Sequence, residues 1–426
     1  MPNVSKCESY KNSGSEWLGD IPASWPMVML SQIVTQVKNK NTDLAEKNLL
    51  SLSYGRIKRK PIDTSGGLLP ASFDGYNIIE ANDIVLRLTD LQNDHTSLRV
   101  GLSAERGIIT SAYTTMRPKN TKGAKYIYYL LHTFDIRKGF YGMGSGVRQG
   151  LNYDEVKRLK LPLPTEAEQV AIADFLDTKV AHIDAVIAEA KASIEEYKAW
   201  KASIISEAVT KGLDPTVEMK DSGIEWIGVV PKNWKLEKLK RYTSMLTPMR
   251  DKPERLDGEI PWIRIEDYCG KYIDSSKEGL GVSSETVLSM NLKVYPVGTI
   301  LCTSSCDLGK CAIVSRPLVS NQRFIGIIPN EGIFPDFLYY LMLSNAERLN
   351  YLSTGAIQAN LSRVAFEQLI VQVPPYSEQR EIAKYLDEKT DGIDTAIQEK
   401  HALVHDLESY KKSLIFEVVT GKRRVC

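Results

Sequence analysis

Ser13-Gly14-Ser15-Glu16-Trp17-Leu18-Gly19-Asp20-Ile21-Pro22 comes back 209 residues later as Ser222-Gly223-Ile224-Glu225-Trp226-Ile227-Gly228-Val229-Val230-Pro231. A second block, Glu168-Gln169 through Thr210, returns with an offset of 210 as Glu378-Gln379 through Thr420. The 426-residue chain therefore reads as module, helical segment, module, helical segment, with expected boundaries at 1–165, 166–212, 213–375 and 376–426. Two copies are too few for a stacked solenoid. They suit two similar binding heads held apart, and a target that is itself in two parts.

The helical segments decide the fold class. Residues 166–210 contain no Pro or Gly, and their apolar positions fall on two seven-residue ladders. One is Leu176, Ile183, Ala190, Tyr197 and Ile204; the other is Val180, Ile187, Ile194, Lys201 and Ala208. The copy gives Leu386, Ile393, Lys400, Leu407 and Leu414, beside Thr390, Ile397, Val404, Lys411 and Val418. Sustained 3–4 spacing is a coiled-coil seam, and a polar residue such as the Lys at the equivalent positions 201 and 411 can fix register or partner choice. Each helix of ~45 residues would run ~65 Å. With heads alternating along the chain, an antiparallel pair places one head at each end; the other arrangement packs each helix on its own module. Thr165 and Ser377 precede Glu/Gln-rich first turns and read as helix starts.

The modules are mixed. Tyr76–Ile79, Ile84–Leu88 and Leu159–Leu163 read as strands, as do Val294-Tyr295, Thr299–Cys302, Ile325–Ile328 and Leu369–Val373 in the second module. Tyr126–Leu131 and Phe337–Met342 read as short helices whose aromatic stripes belong to the core. The expected class is α+β: two mixed α/β domains alternating with two long helices that pair as an antiparallel coiled coil, in a pseudo-twofold internal repeat.

Hydrophobic content of 43% and charged content of 25% are those of an ordinary globular chain. With no apolar leader and no stretch near the ~18 apolar residues of a membrane span, a cytoplasmic location is expected. The net charge of +1 hides an asymmetry. Residues 1–165 carry 22 Lys+Arg against 15 Asp+Glu, whereas 166–210 carry 4 against 9. Residues 211–375 balance at 19 each. A basic first head suits a polyanion, and acidic helices suit protein partners.

No enzymatic constellation is complete. Val373-Pro374-Pro375-Tyr376 resembles an amino-methyltransferase motif but lacks the side-chain acceptor needed at its first position. Gly142-Met143-Gly144-Ser145-Gly146 lacks the ending of a phosphate loop. Cys302, Cys306 and Cys311 have loose metal-like spacing without a His or fourth ligand nearby, and read as small buried or half-buried side chains. The five histidines, at 95, 132, 182, 401 and 405, show no ligand or triad spacing.

The junction Leu151-Asn152-Tyr153…Leu159-Lys160-Leu161-Pro162-Leu163-Pro164-Thr165-Glu166-Ala167-Glu168-Gln169 and its copy Leu361-Ser362…Val373-Pro374-Pro375-Tyr376-Ser377-Glu378-Gln379 carry a resemblance. So do the helix ends Glu207-Ala208-Val209-Thr210-Lys211-Gly212 and Glu417-Val418-Val419-Thr420-Gly421-Lys422. The chain resembles, twice and over essentially its whole length, the specificity subunit of Type I restriction-modification systems. The resemblance implies a chain without catalytic activity, in which two target-recognition domains read a bipartite, asymmetric sequence in double-stranded DNA. It implies that the helices set the gap and dock two methyltransferase subunits, and that restriction/translocase subunits join the complex. S-adenosylmethionine, ATP and Mg then belong to those partners, with no cofactor in this chain. The neutral second module departs from an evenly basic pair.

Under that reading, side chains able to meet phosphates and base edges become the candidates. In the first module these are Tyr54, Arg56, Lys58, Arg59 and Lys60; then Arg87, Thr89, Asp90, Gln92, Asn93 and His95; then Ser145, Arg148 and Gln149 in the Gly-rich loop. In the second they are Arg264, Asp267, Tyr268, Ser304, Ser305, Lys310, Asn321, Gln322, Arg323, Gln358 and Asn360. Each has a plainer reading: 56–60 as a solvated charge run, Arg87 and Arg264 as salt-bridged edge residues, Asn321-Gln322 as turn chemistry. Two alternatives of other kinds remain: a stand-alone tandem nucleic-acid-binding protein, and a coiled-coil adaptor whose heads bind protein.

Overall fold

The structure is a computed structural model that describes residues 9–62, 72–94, 96–143, 150–248, 251–305, 308–353 and 361–425. The chain divides into two compact units, Met1–Lys191 with Ala402–Cys426, and Ala192–His401. Each unit thus takes one head, the first part of one long helix and the last part of the other. The long helices run Glu166–Lys211 and Tyr376–Val419. No helix among the described residues is long and apolar enough to cross a membrane.

In the first unit an antiparallel sheet has the order Val34–Gln36, Thr114–Pro118, Ile84–Leu86, Val100–Leu102. The helix Ala124–Ile136 packs on it. Its Tyr126, Ile127, Leu130 and Leu131 share one core with Ile84, Leu86 and Val100. The same core takes in Leu176, Ile183, Ile187 and Ala190 of the first long helix and Val404, Leu414, Ile415 and Val418 of the second. Two ion pairs fix the direction of this pairing. Asp184 meets Lys411 at 2.5 Å, and Lys191 meets Glu408 at 3.2 Å, so one helix ascends as the other descends. The head and the helix pair are therefore a single hydrophobic body, and both expected arrangements hold together: the helices pair with each other and pack on the head.

The second unit repeats the plan. Its sheet has the order Thr243–Leu246, Phe324–Pro329, Ile300–Thr303, Cys311–Val314, Tyr272–Ile273, the last pair parallel. The helix Pro335–Ser344 covers it, and Ile205, Ala208, Val209, Ile382, Ala383 and Leu386 complete the core. Across this unit's part of the seam Lys201 meets Asp394 at 2.5 Å.

Two expectations need correction. Val294-Tyr295 is not a strand; Tyr295 makes one isolated bridge to Leu318, because the following Pro296 has no N–H with which to continue a ladder. Ser377 is not the start of its helix, which begins at Tyr376. The residue equivalent to Thr165 is Pro375. In the first unit Thr165 and Glu168 form a reciprocal capping box, Thr165 N donating to Glu168 Oε2 at 2.9 Å and Glu168 N donating to Thr165 Oγ1 at 3.4 Å.

Candidate nucleic-acid interface

In the first head, Leu50–Ser53 and Arg56–Arg59 form a hairpin joined by Tyr54-Gly55, both at positive φ (47° and 75°). Such a two-residue turn matches the strands' own twist. Leu50 and Leu52 face the core, which leaves Arg56, Lys58, Arg59 and Lys60 exposed and Tyr54 at the tip, 75% exposed. Two of the cations have local partners: Arg56 pairs with Asp184 at 3.2 Å, and Arg59 with Glu105. Lys58 and Lys60 are exposed and form no ion pair among the described residues.

The segment after strand Ile84–Leu86 is the second element. Arg87 pairs with Asp94 at 3.4 Å, while Thr89, Asp90, Gln92 and Asn93 are exposed. Asn93 Nδ2 donates to Asp90 Oδ1 at 2.9 Å. Asp94 accepts from Ser97, which holds its carboxyl far below the usual carboxylate range. His95, Ser145, Arg148 and Gln149 lie outside the described residues. The flank of the Gly-rich loop is nevertheless fixed: Leu151 N donates to Leu88 O at 2.9 Å, tying the chain after that loop to the segment after the strand. Asn152 then caps a short helix, accepting from Asp154 N and Glu155 N.

The second head has the same tie. Leu361 N donates to Ser304 O at 2.8 Å, and Ser304 N donates to Arg323 O at 2.8 Å. This brings together three segments that are distant in sequence, those of Ser304-Ser305, Asn321–Arg323 and Leu361. Around them lies a recess of about 490 Å³ lined by Thr247, Ser304, Gln322, Phe324, Leu361 and Arg363. Gln322 and Arg323 are exposed, Ser305 is half-buried, and Ser304 itself is buried. Asn321 Oδ1 accepts from Arg323 N at 3.0 Å, so its side chain serves the turn. Lys310 is exposed just before the strand Cys311–Val314. Gln358 and Asn360 lie outside the described residues.

The segment at Arg264 is built differently. Asp267 is 3% exposed and accepts from Arg264 N (2.7 Å), Lys277 N (2.9 Å) and Ser276 Oγ (3.2 Å). Tyr268 donates its hydroxyl to Leu301 O at 2.5 Å, and Arg264 pairs with Glu278 at 2.9 Å. Asp267 and Tyr268 thus spend their polar atoms inside the head, and we leave both out of the interface. The reason is burial: a carboxylate with three internal donors has no free edge for a base.

Sequence reading passed over Arg99 and Arg363. Arg363 sits on the recess and pairs with Glu367. Arg99 is fully buried. A cation in Leu98-Arg99-Val100-Gly101-Leu102, flanked by apolar strand residues, was the signal that it must be enclosed and fully hydrogen-bonded. Cys302 and Cys311 prove to be buried cross-strand neighbours with Sγ atoms 2.9 Å apart. Among the described residues no cluster of three or more His, Cys, Asp or Glu is placed to hold a metal.

Comparison with known proteins fits this doubled architecture. The family model for the Type I restriction modification DNA specificity domain matches residues 23–196 and again 233–403. A stretch of 183 residues is 32% identical to the Type I restriction enzyme MjaIX specificity subunit of Methanocaldococcus jannaschii, covering 42% of each chain. The MjaVIII specificity subunit of the same organism is 24% identical over 95% of this chain and 94% of its own length. The EcoKI specificity subunit of Escherichia coli K12 is 22% identical over 95% and 90%. A chain solved in work on complex assembly and conformational transition of the type I R-M system shares the fold, with a TM-score of 0.69 at 12% identity, over 94% of this chain and 98% of that one. With two domain matches that together span most of its length, the chain belongs to the Type I restriction-modification DNA specificity subunits, the non-catalytic members of those systems.

Proposed function

We propose that each head reads one part of a two-part DNA sequence and that the paired helices set the gap between the parts. The observation that carries this is the repeated tie, Leu151 to Leu88 and Leu361 to Ser304. In both heads it fastens the segment after an inner strand of the sheet to the segment before a short helix, Tyr153–Val156 in the first head and Arg363–Glu367 in the second, while the tied segments differ in sequence between the heads. Variable loops on a common frame are what two heads with different base preferences require. The reading set is Tyr54, Lys58, Lys60, Thr89, Asp90, Gln92 and Asn93 in the first head, with His95, Ser145, Arg148 and Gln149. In the second it is Ser305, Lys310, Gln322 and Arg323, with Gln358 and Asn360. Arg56, Arg59, Arg87 and Arg264 would have to exchange a carboxylate partner for a phosphate or guanine, and Ser304 and Asn321 support their loops.

The helices' outward faces are assigned to two methyltransferase subunits, and restriction/translocase subunits are assigned to the assembled complex. S-adenosylmethionine, ATP and Mg would bind to those partners. The test is co-expression with the cognate methyltransferase, followed by mapping of modified adenines at single-base resolution. A two-part motif with a constant gap is expected, and deleting one heptad from a helix should change the gap but leave both half-sites. A stable complex that leaves DNA unmodified would favour the adaptor reading.

A further inference from the structure

Arg99 is an arginine with no access to solvent, in a head whose other described basic side chains reach the surface or its edge. A guanidinium has five N–H donors, and here each has an acceptor. Nε donates to Tyr141 Oη at 3.0 Å, Nη1 to Arg87 O at 3.1 Å and Thr89 O at 2.7 Å, and Nη2 to Asp90 O at 3.2 Å and Asp94 O at 2.5 Å. Four of the five acceptors are main-chain carbonyls of one segment, 87–94. Tyr141 closes the ring by donating its hydroxyl to Asp94 O at 2.9 Å. Asp135, also buried, anchors the arginine from behind by accepting Arg99 N at 2.5 Å.

The geometry points to Arg99 as a positioning residue for base reading by the first head. This rests on the assignment of segment 87–94 to DNA. Burying a full charge is costly, and an apolar plug would fill the same space more cheaply. What a plug would not do is turn the carbonyls of Arg87, Thr89, Asp90 and Asp94 inward. With the carbonyls turned in, Asp90 adopts a left-handed φ of 59°, and Thr89, Asp90, Gln92 and Asn93 are all exposed on the outer side. These side chains can then be held in one arrangement before DNA arrives, which is what discrimination between base edges needs. Among the described residues of the second head no enclosed arginine holds the equivalent segment. Arg87 N donates to Arg99 O as Thr303 N donates to Lys310 O, which makes Lys310 the equivalent residue, and Lys310 is exposed.

The test uses the full-length chain, in its complex with partner subunits if these are needed for solubility, and a pool of duplexes randomised over ~30 base pairs, within the reach of two half-sites about a helical turn or more apart. Bound duplexes are sequenced for wild type, Arg99→Met and Tyr141→Phe. The second variant removes only the bridging hydroxyl, so it remains informative where Arg99→Met fails to fold. Wild type should enrich a two-part motif. In Arg99→Met the base preferences of one part should flatten by about tenfold or more, as expected for loss of a bidentate base contact, with the other part kept and the salt dependence of binding unchanged. Tyr141→Phe should weaken the same part to a smaller extent. Both parts retained in both variants would overturn the positioning role and leave the DNA assignment standing. Equal loss of both parts would also overturn it, since that is the mark of general destabilisation. Absence of any motif with wild type would overturn the DNA assignment itself, and this inference with it.

Discussion

Lys201 Nζ lies 2.5 Å from Asp394 Oδ2 across the paired helices of the second unit, and their counterparts at a 210-residue offset, Lys411 and Asp184, repeat the contact at 2.5 Å in the first. The lysines occupy seam positions that would otherwise be apolar, and each finds a carboxylate on the facing helix. Half-buried pairs of this kind contribute little net stability, because desolvation offsets attraction. Their effect is on alignment, since any slip of one helix along the other would separate the partners.

That argument predicts opposite signs for single and double changes. Asp394→Ala should lower stability by about 1 kcal/mol, because it leaves the Lys201 ammonium half-buried without its partner. Lys201→Met with Asp394→Leu should be neutral or stabilising. Thermal unfolding of the three chains measures this, and a double variant less stable than Asp394→Ala would contradict it. The equivalent change at Asp184 should cost more, because Asp184 also accepts from Arg56 at 3.2 Å.

His132 supplies a pH-dependent term. It stacks on Tyr128 with ring centroids 5.6 Å apart, and its Nδ1 is buried with no hydrogen-bond partner among the described residues. Burial, with Lys411 nearby, pushes its pKa down from 6.5 to about 4. The folded chain therefore holds a neutral imidazole where the unfolded chain would take a proton. The resulting stability is complete above pH ~6.5 and falls away as pH drops toward ~4, with an upper limit of about 3 kcal/mol. His132→Phe keeps the stack and removes the titration. Its unfolding midpoint should change less than that of wild type between those pH values; parallel profiles would exclude His132 as the source.

In the first head, free and paired cations should separate in DNA binding. Lys58→Ala and Lys60→Ala should each lower affinity about equally for all sequences and reduce the slope of log K against log salt by about 1. Arg59→Ala should do less, because Arg59 is already engaged by Glu105. Equilibrium titrations at several salt concentrations decide between them. A larger effect at Arg59 than at either lysine would mean that the hairpin meets DNA by its other face.

The repeat and the helices were legible because they rest on local rules: a heptad pattern, free of Pro and Gly in the first helix and interrupted by Gly392 in the second, is readable residue by residue, and Leu176, Ile183, Ile187, Leu386 and Leu414 are buried as that pattern requires. The site was legible only in part. The basic run at Arg56–Lys60 identified an exposed hairpin, but charge alone did not reveal that Arg56 and Arg59 have partners at Asp184 and Glu105, far away in sequence. Asp267 was misread for the same reason, its donors at Ser276 and Lys277 being supplied by tertiary folding. Arg99 was missed because a residue that works through main-chain carbonyls leaves no pairing pattern in the sequence.

The two helix starts give a last test, because a proline stands beside one of two similarly placed carboxylates where a capping threonine stands beside the other. Trp25 Nε1 donates to Glu168 at 3.3 Å, and Trp234 Nε1 donates to Glu378 at 3.1 Å. Burial disfavours ionisation at both. Glu168 overcomes it with further hydrogen bonds from Thr165 N (2.9 Å) and Thr165 Oγ1 (2.8 Å), and its pKa is lowered. At the equivalent position Pro375 has neither an N–H nor a hydroxyl to offer Glu378, and burial, with the Glu381 and Asp214 carboxylates nearby, raises its pKa. Glu168 therefore adds stability above pH ~4.5 that is lost as pH falls through its lowered pKa, whereas the Glu378 contribution is present at low pH and lost as pH rises through its raised one. Pro375→Thr restores both donors. The Glu378 carboxyl, followed by carbon-detected NMR titration and assigned with Glu378→Gln, should move from above the ordinary glutamate value to below it. A new cap of this kind contributes ~1 kcal/mol, against ~0.5–1 kcal/mol lost when a proline no longer restricts the unfolded chain, so the melting temperature should barely move. A Glu378 titration unchanged in Pro375→Thr would show that the proline is not what sets the two helix starts apart.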